Sequence, residues 1–141
     1  MPGFHDAELI SVEHNPDAKS LALRFKRVSG PLETLMLAGV VGQRMIDFSD
    51  RNVASRLLAS PTQHISVDEL REWVRWINSR NDAKAPEPER TTIEQLHRDL
   101  VDGRKGLFIL EPSCGAEMAV RANLCRSSGS LMSISAQIFT A

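Results

Sequence analysis

Residues 66 to 80 constrain this chain more than any other segment, because the start, the buried face and the charge order all specify one helix. Ser66 lies three residues before Glu69. That is the spacing of a capping box, in which hydroxyl and carboxylate each satisfy an orphan amide of the first turn. Ile65 before the cap and Leu70 inside it are placed as a hydrophobic staple. Leu70, Trp73, Val74 and Ile77 follow at i, i+3, i+4 and i+7, so they fall on one face of a 3.6-residue period. Trp76 extends that arc to its rim. Asp68 and Glu69 stand at the positive end of the helix dipole and Arg80 at the negative end. Trp73 is expected under the sheet and Trp76 partly exposed.

A helix with one apolar stripe needs a second layer, and the N-terminal third supplies strands. In residues 19 to 28, Leu21, Leu23 and Phe25 alternate with Ser20, Ala22, Arg24 and Lys26, the pattern of a strand with one wet face. Glu8 to His14 puts Ile10 and Val12 on one face. Asn15-Pro16-Asp17-Ala18 between the two runs has type I turn chemistry, with Asn first and Pro second. Closing that loop sets Val12 opposite Leu21 and Ile10 opposite Leu23, a hairpin whose apolar faces coincide. Ser29-Gly30-Pro31 turns the chain into a third strand near 33 to 40, with Leu35 and Leu37 on one side and Met36 on the other. Gly39 and Gly42 break that run before a fourth short strand, Met45 to Phe48. Residues 51 to 60 suit either a helix or a strand, and a fifth strand is the expectation.

Beyond the helix, Asn81 to Arg90 contains Pro86-Glu87-Pro88-Glu89 and reads as an exposed loop. Thr91 with Glu94 repeats the capping-box spacing, so a second helix should begin at Thr91 or Thr92. It would bury Ile93, Leu96 and Leu100 and end at Gly103. Leu107 to Leu110 is continuously apolar, as in a strand covered on both faces. Pro112-Ser113-Cys114-Gly115 is expected to turn the chain into a return strand from Ala116 to Cys125, with Met118, Val120, Ala122 and Leu124 on one face and Glu117, Arg121 and Asn123 on the other. The expected fold class is therefore α+β: an antiparallel β-meander packed against two amphipathic helices, with a C-terminal β-hairpin. Residues 1 to 126 read as a single domain, and the uncharged, Ser-rich residues 127 to 141 as a tail or an edge strand. Met132, Ile134, Ala136 and Ile138 alternate within that tail.

Composition bounds the function classes. The chain has 141 residues, with 42% hydrophobic and 25% charged, enough to bury a real core. Its net charge is −1 and it lacks Tyr, which argues against nucleic acid and anionic membranes as partners. No run reaches the roughly 18 to 20 apolar residues that span a bilayer. Met1 to Asp6 lacks the basic-then-apolar order of a signal peptide. Two cysteines do not make a disulfide framework, so both are expected reduced, and the expected location is cytoplasmic.

Candidate chemistry is sparse. His5, Asp6 and Glu8, with His14 at the far end of the same strand, are the densest set of acid–base or ligating groups. Zinc, however, wants three or four ligands converging at about 2.0 to 2.2 Å. An alternative reading makes His5-Asp6 a turn that starts the first strand, with Phe4 in the core. Cys114 sits between Glu111 and Glu117, which oppose thiolate formation, and it needs a base such as His64 or His97 to act as a nucleophile. Cys125 reads as a small apolar residue, His97 as a boundary residue, and Arg71 and Arg75 as a solvated face. No cofactor is implied.

The run Phe4-His5-Asp6-Ala7-Glu8-Leu9, continuing into Ser11-Val12-Glu13 and Leu21-Ala22-Leu23-Arg24-Phe25, resembles the opening hairpin of small uncharacterised bacterial proteins. Some of these look like immunity proteins from toxin systems. The resemblance covers about the first 55 residues and implies an α+β binding protein rather than an enzyme. With strong structural signals and no assembled reactive centre, the expected function is a non-enzymatic protein-binding module, with Trp76, Arg80 and Glu87 as the partner surface. The alternatives are a small metal-assisted or thiol-dependent hydrolase using His5, Asp6, Glu8 or Cys114, and a structural subunit that self-associates.

Overall fold

Alternating apolar residues build β1 (Glu8–Asn15), β2 (Ser20–Lys26), β3 (Leu32–Ala38), β4 (Val40–Ile46) and β5 (Val53–Ala59). Two helices follow, α1 (Val67–Asn78) and α2 (Arg90–Val101), then β6 (Lys105–Cys114), β7 (Glu117–Asn123) and β8 (Met132–Gln137). The computed structural model describes residues 4–60, 63–80, 82–124 and, as backbone, 132–137. Cys125, the rest of the Ser-rich tail and Asn81 of the exposed loop lie outside the described residues. Among the described residues no helix is long and apolar enough to cross a membrane.

The strands form one eight-stranded antiparallel sheet in the order β4-β7-β6-β5-β1-β2-β3-β8. The α+β class, the two amphipathic helices and the C-terminal hairpin, here β6–β7, are as the sequence predicts. β1 to β3 run as a meander, whereas β4 does not continue it and pairs with β7 at the opposite end of the sheet. Gly39 makes that switch. Its φ of +72° is open to Gly, and a Cβ there would stand 2.1 Å from the Asn123 carbonyl oxygen. The Asn123 amide donates to the Gly39 carbonyl at the same corner.

The sheet curls so that its two halves share one inner core. Leu21, Leu23, Phe25, Leu35 and Leu37 from one half meet Leu57, Phe108, Leu110, Met118 and Val120 from the other. Phe4 closes the end of this core, edge-on to Phe25 at 5.5 Å and covered by the Arg27 guanidinium. A second core lies on the outer face of β5, β6 and β7, where Leu58, Leu107, Ile109 and Ala119 receive Leu70, Val74 and Ile77 of α1 and Ile93 and Leu100 of α2. β6 is thus buried on both faces, as its unbroken apolar run predicts. Each fully buried Leu or Ile contributes about 1.5–3 kcal/mol of transfer free energy, so the helices are held mainly by this stripe.

Several local details differ from the expectations. The first loop runs Pro16–Lys19, with Lys19 in the left-handed region, so Asn15 pairs with Ser20 and Val12 with Leu23 rather than Leu21. The ladder then slips at Ile10, which bulges out and is exposed while Leu9 turns into the core. One inserted residue reverses which face each following side chain takes. β4 begins at Val40, well before the expected Met45, and residues 53–59 are strand. Pro112 to Cys114 continue β6 past a ladder irregularity opposite Ala54, and the turn falls on Gly115 instead. α2 starts at Arg90 after Glu89, with no side-chain cap bond, so Thr91 is not its cap. Its end is a Schellman motif, in which Gly103 N donates to Leu100 O and Arg104 N to Asp99 O.

Candidate functional site: the tryptophan groove of the first helix

The site begins with the register of the outer face. Across β5, β6, β7 and β4 the pairs Leu58–Ile109, Ile109–Ala119 and Ala119–Arg44 make one row. The next row holds Arg56 opposite Glu111 and Glu117 opposite Ile46. One further step of the β6–β7 register sets Glu111 beside Glu117. An apolar row under the helices therefore borders a charged row at the start of α1.

Glu69 joins the two. The Ser66 hydroxyl accepts from the Glu69 amide at 3.1 Å, as a capping box requires. The Glu69 carboxylate, however, is turned to the Arg56 guanidinium, which also donates to Glu111 at 3.0 Å. The Trp73 indole N–H points at the same Glu69 oxygen, 3.4 Å away. The bond to Glu69, with the field of Glu111, holds Arg56 above the ordinary arginine range despite some desolvation. Glu117 is pushed up by burial first, then by the charges of Glu111 and Asp47, with Arg44 opposing.

Alongside this row α1 presents an open groove of about 470 Å³. Its floor is Trp73 and Trp76, whose rings stand 5.6 Å apart at 86°. Both are half-buried, so Trp73 is less covered than its place in the apolar arc predicts. The edge-on contact explains why, since the pair packs on itself beside the sheet. Arg44 lies over the Trp76 ring at 4.6 Å and donates to the Trp76 carbonyl at 3.0 Å. Arg75, Arg80 and Lys84 rim the far side, with Glu72 and Glu117 as the acidic lining. The loop after α1 is tied down by Arg75, which donates to the Ala85 carbonyl at 2.9 Å and faces Glu87 at 3.7 Å. Ser79 donates to Arg75 O and accepts from Ala85 N.

The expected partner surface is thus brought together: Trp76 and Arg80 line the groove, and Glu87 reaches it through Arg75. Arg44 and Glu117 were missed, because β4 and β7 are neighbours only in the folded sheet. The sequence signal is a lone charge in β4, Arg44, and two charges in β7, of which only Glu117 lines the groove.

The other polar set does not assemble. His5 contacts only the adjacent Asp6 among ion-pairing groups described, at 3.0 Å, and both are exposed. They form the turn before β1, where Ala7 N donates to Phe4 O and Asp6 takes φ of 64°. Glu8 pairs with Arg51 at 3.2 Å, and the Cys114 thiol donates to the Arg51 carbonyl at 3.4 Å. Arg51 thereby links Glu8 and Cys114, but a carbonyl acceptor is no base and does not activate a thiol. Under this corner, buried Asn52 accepts from the Ser49 and Ala116 amides and donates to the Ser49 and Leu9 carbonyls. His14 is exposed on β1. His64 and His97 meet edge-on at 5.9 Å, with His97 Nε2 2.9 Å from the Ile65 carbonyl. Among the described residues no three His, Cys, Asp or Glu side chains gather as a metal site would require.

No protein-family model, curated protein or solved structure matches this chain.

Proposed function

We propose that the chain is a non-enzymatic protein-binding module that engages its partner along the α1 groove. The observation that supports this best is the perpendicular, half-buried Trp73–Trp76 pair opening onto a rim of arginines. Trp and Arg are enriched in binding hot spots. Trp buries much area while ordering only two torsions and keeps a polar N–H, whereas the planar fork of Arg makes several directed hydrogen bonds and stacks on rings. Arg44 pre-positions Trp76 from ring and carbonyl at once, which lowers the ordering cost at association. An immunity-like inhibitor, which the likeness of the opening hairpin implies, is one form such a module takes.

The test is affinity capture from extracts of the source organism, with the chain and its Trp76→Ala variant as baits, after circular dichroism has shown that both fold alike. A partner retained by the chain and lost with Trp76→Ala is the expected result. The same proteins on both baits would remove the groove as the binding surface.

A further inference from the structure

Resting on that reading of the groove, we infer that its occupant is an acidic segment of a partner protein, with one apolar side chain seated against the corner that Trp73 and Trp76 form and carboxylates turned toward Arg80 and Lys84. Shape comes first. Two rings at 86° make a corner, and one face of Trp76 already carries Arg44. A corner receives a branched or aromatic side chain well, whereas stacking successive bases or sugars needs parallel, open faces. The groove, about 470 Å³ in volume, is open to solvent, so a side chain of a partner segment can enter it directly.

Charge decides the rest. Arg44, Arg75, Arg80 and Lys84 face two lining carboxylates, Glu72 and Glu117. Arg44 is engaged with Trp76 and stands close enough to Glu117 to lower its proton affinity, and Arg75 is tied to Glu87 and Ala85. Arg80 and Lys84 are both exposed and, among the described residues, neither forms an ion pair. A chain of net charge −1 thus carries a local positive excess on one rim of its aromatic groove. Carboxylates on a partner would find it by steering and hold there by charge-assisted bonds.

The probe is a synthetic peptide of glutamates flanking a single phenylalanine, followed through the chain's tryptophan emission. Saturable binding is expected, weakened roughly tenfold by Arg80→Glu with Lys84→Glu and by raised salt. The matching lysine peptide should not bind. Equal response to the lysine peptide, no response to the acidic one, or equal response to a single-stranded DNA oligomer would each overturn the inference. So would a dimer in sedimentation that the same double variant dissociates, since a second copy would then fill the groove. Partner capture that depends on Trp76 but not on Arg80 and Lys84 would overturn the acidic occupant while leaving the binding surface standing.

Discussion

Arg44 holds Trp76 by two atoms' worth of chemistry: its guanidinium lies 4.6 Å from the ring centroid and its Nη1 donates to the Trp76 carbonyl at 3.0 Å. β4 is thereby clamped to the last turn of α1 at the groove. Arg44→Ala should cost roughly 1–2 kcal/mol, the sum of a partly exposed cation–π contact and one hydrogen bond. Arg44→Lys should fall between, keeping the cation but losing the directed bond. Urea unfolding and tryptophan emission check this; an Arg44→Ala protein with unchanged stability and emission would contradict the clamp.

Glu117 makes the groove's stability depend on pH. Its folded pKa is raised, chiefly by burial and then by Glu111 and Asp47. The native state therefore holds a proton that the unfolded chain has released, and stability falls as pH rises from the ordinary glutamate range through the raised value. Glu117→Gln should remove that slope, becoming more stable than the parent as pH approaches neutrality, by less than about 1 kcal/mol for a partly solvated group. Parallel melting curves at acid and neutral pH would show the two proteins diverging. A constant difference between them would refute it.

Ser66 and Glu69 have the spacing of a reciprocal cap, yet the carboxylate serves Arg56. Ser66→Ala should cost about 1 kcal/mol as a lost N-cap. Combined with Glu69→Gln, the losses should add within about 0.5 kcal/mol, because the two side chains act on different partners. Glu69→Gln and Arg56→Met should instead show clear coupling in a double-mutant cycle. The reverse pattern would restore the capping box.

Asn52 is buried and has four backbone partners from β1, the β4–β5 loop and the β6–β7 turn. Asn52→Leu should destabilise by roughly 2–4 kcal/mol, since it orphans buried amides and carbonyls and must also fit a crowded site. Denaturant titration reads this directly.

Gly39→Ala combines a left-handed φ with a Cβ driven onto the Asn123 carbonyl, so the corner itself must move. A loss of roughly 2–4 kcal/mol is expected, against about 1 kcal/mol for Gly30→Ala, which shares a positive φ but meets no steric neighbour. Comparable losses in the two variants would argue against the corner.

Much of this fold is written locally. The alternation of Leu21, Leu23 and Phe25, the stripe of Leu70, Val74 and Ile77, and the unbroken Leu107–Leu110 run each declare period and burial without reference to anything distant. The class of the fold and the core follow from them, and so do Trp76 and Arg80 as surface candidates. The tertiary structure alone decided how strands distant in the chain became neighbours, β4 with β7 and β5 with β1 and β6. Ile10 could be displaced by Leu9 only through a bulge, and Glu69 could leave its cap only because Arg56 arrived from β5. Arg44 and Glu117 became groove residues because Gly39 sends the chain across the sheet to pair β4 with β7. Periodicity is a property of a few successive residues, whereas pairing between distant strands is settled by the packing of the whole core. That is why the helix was legible from its sequence, and the groove beside it was not.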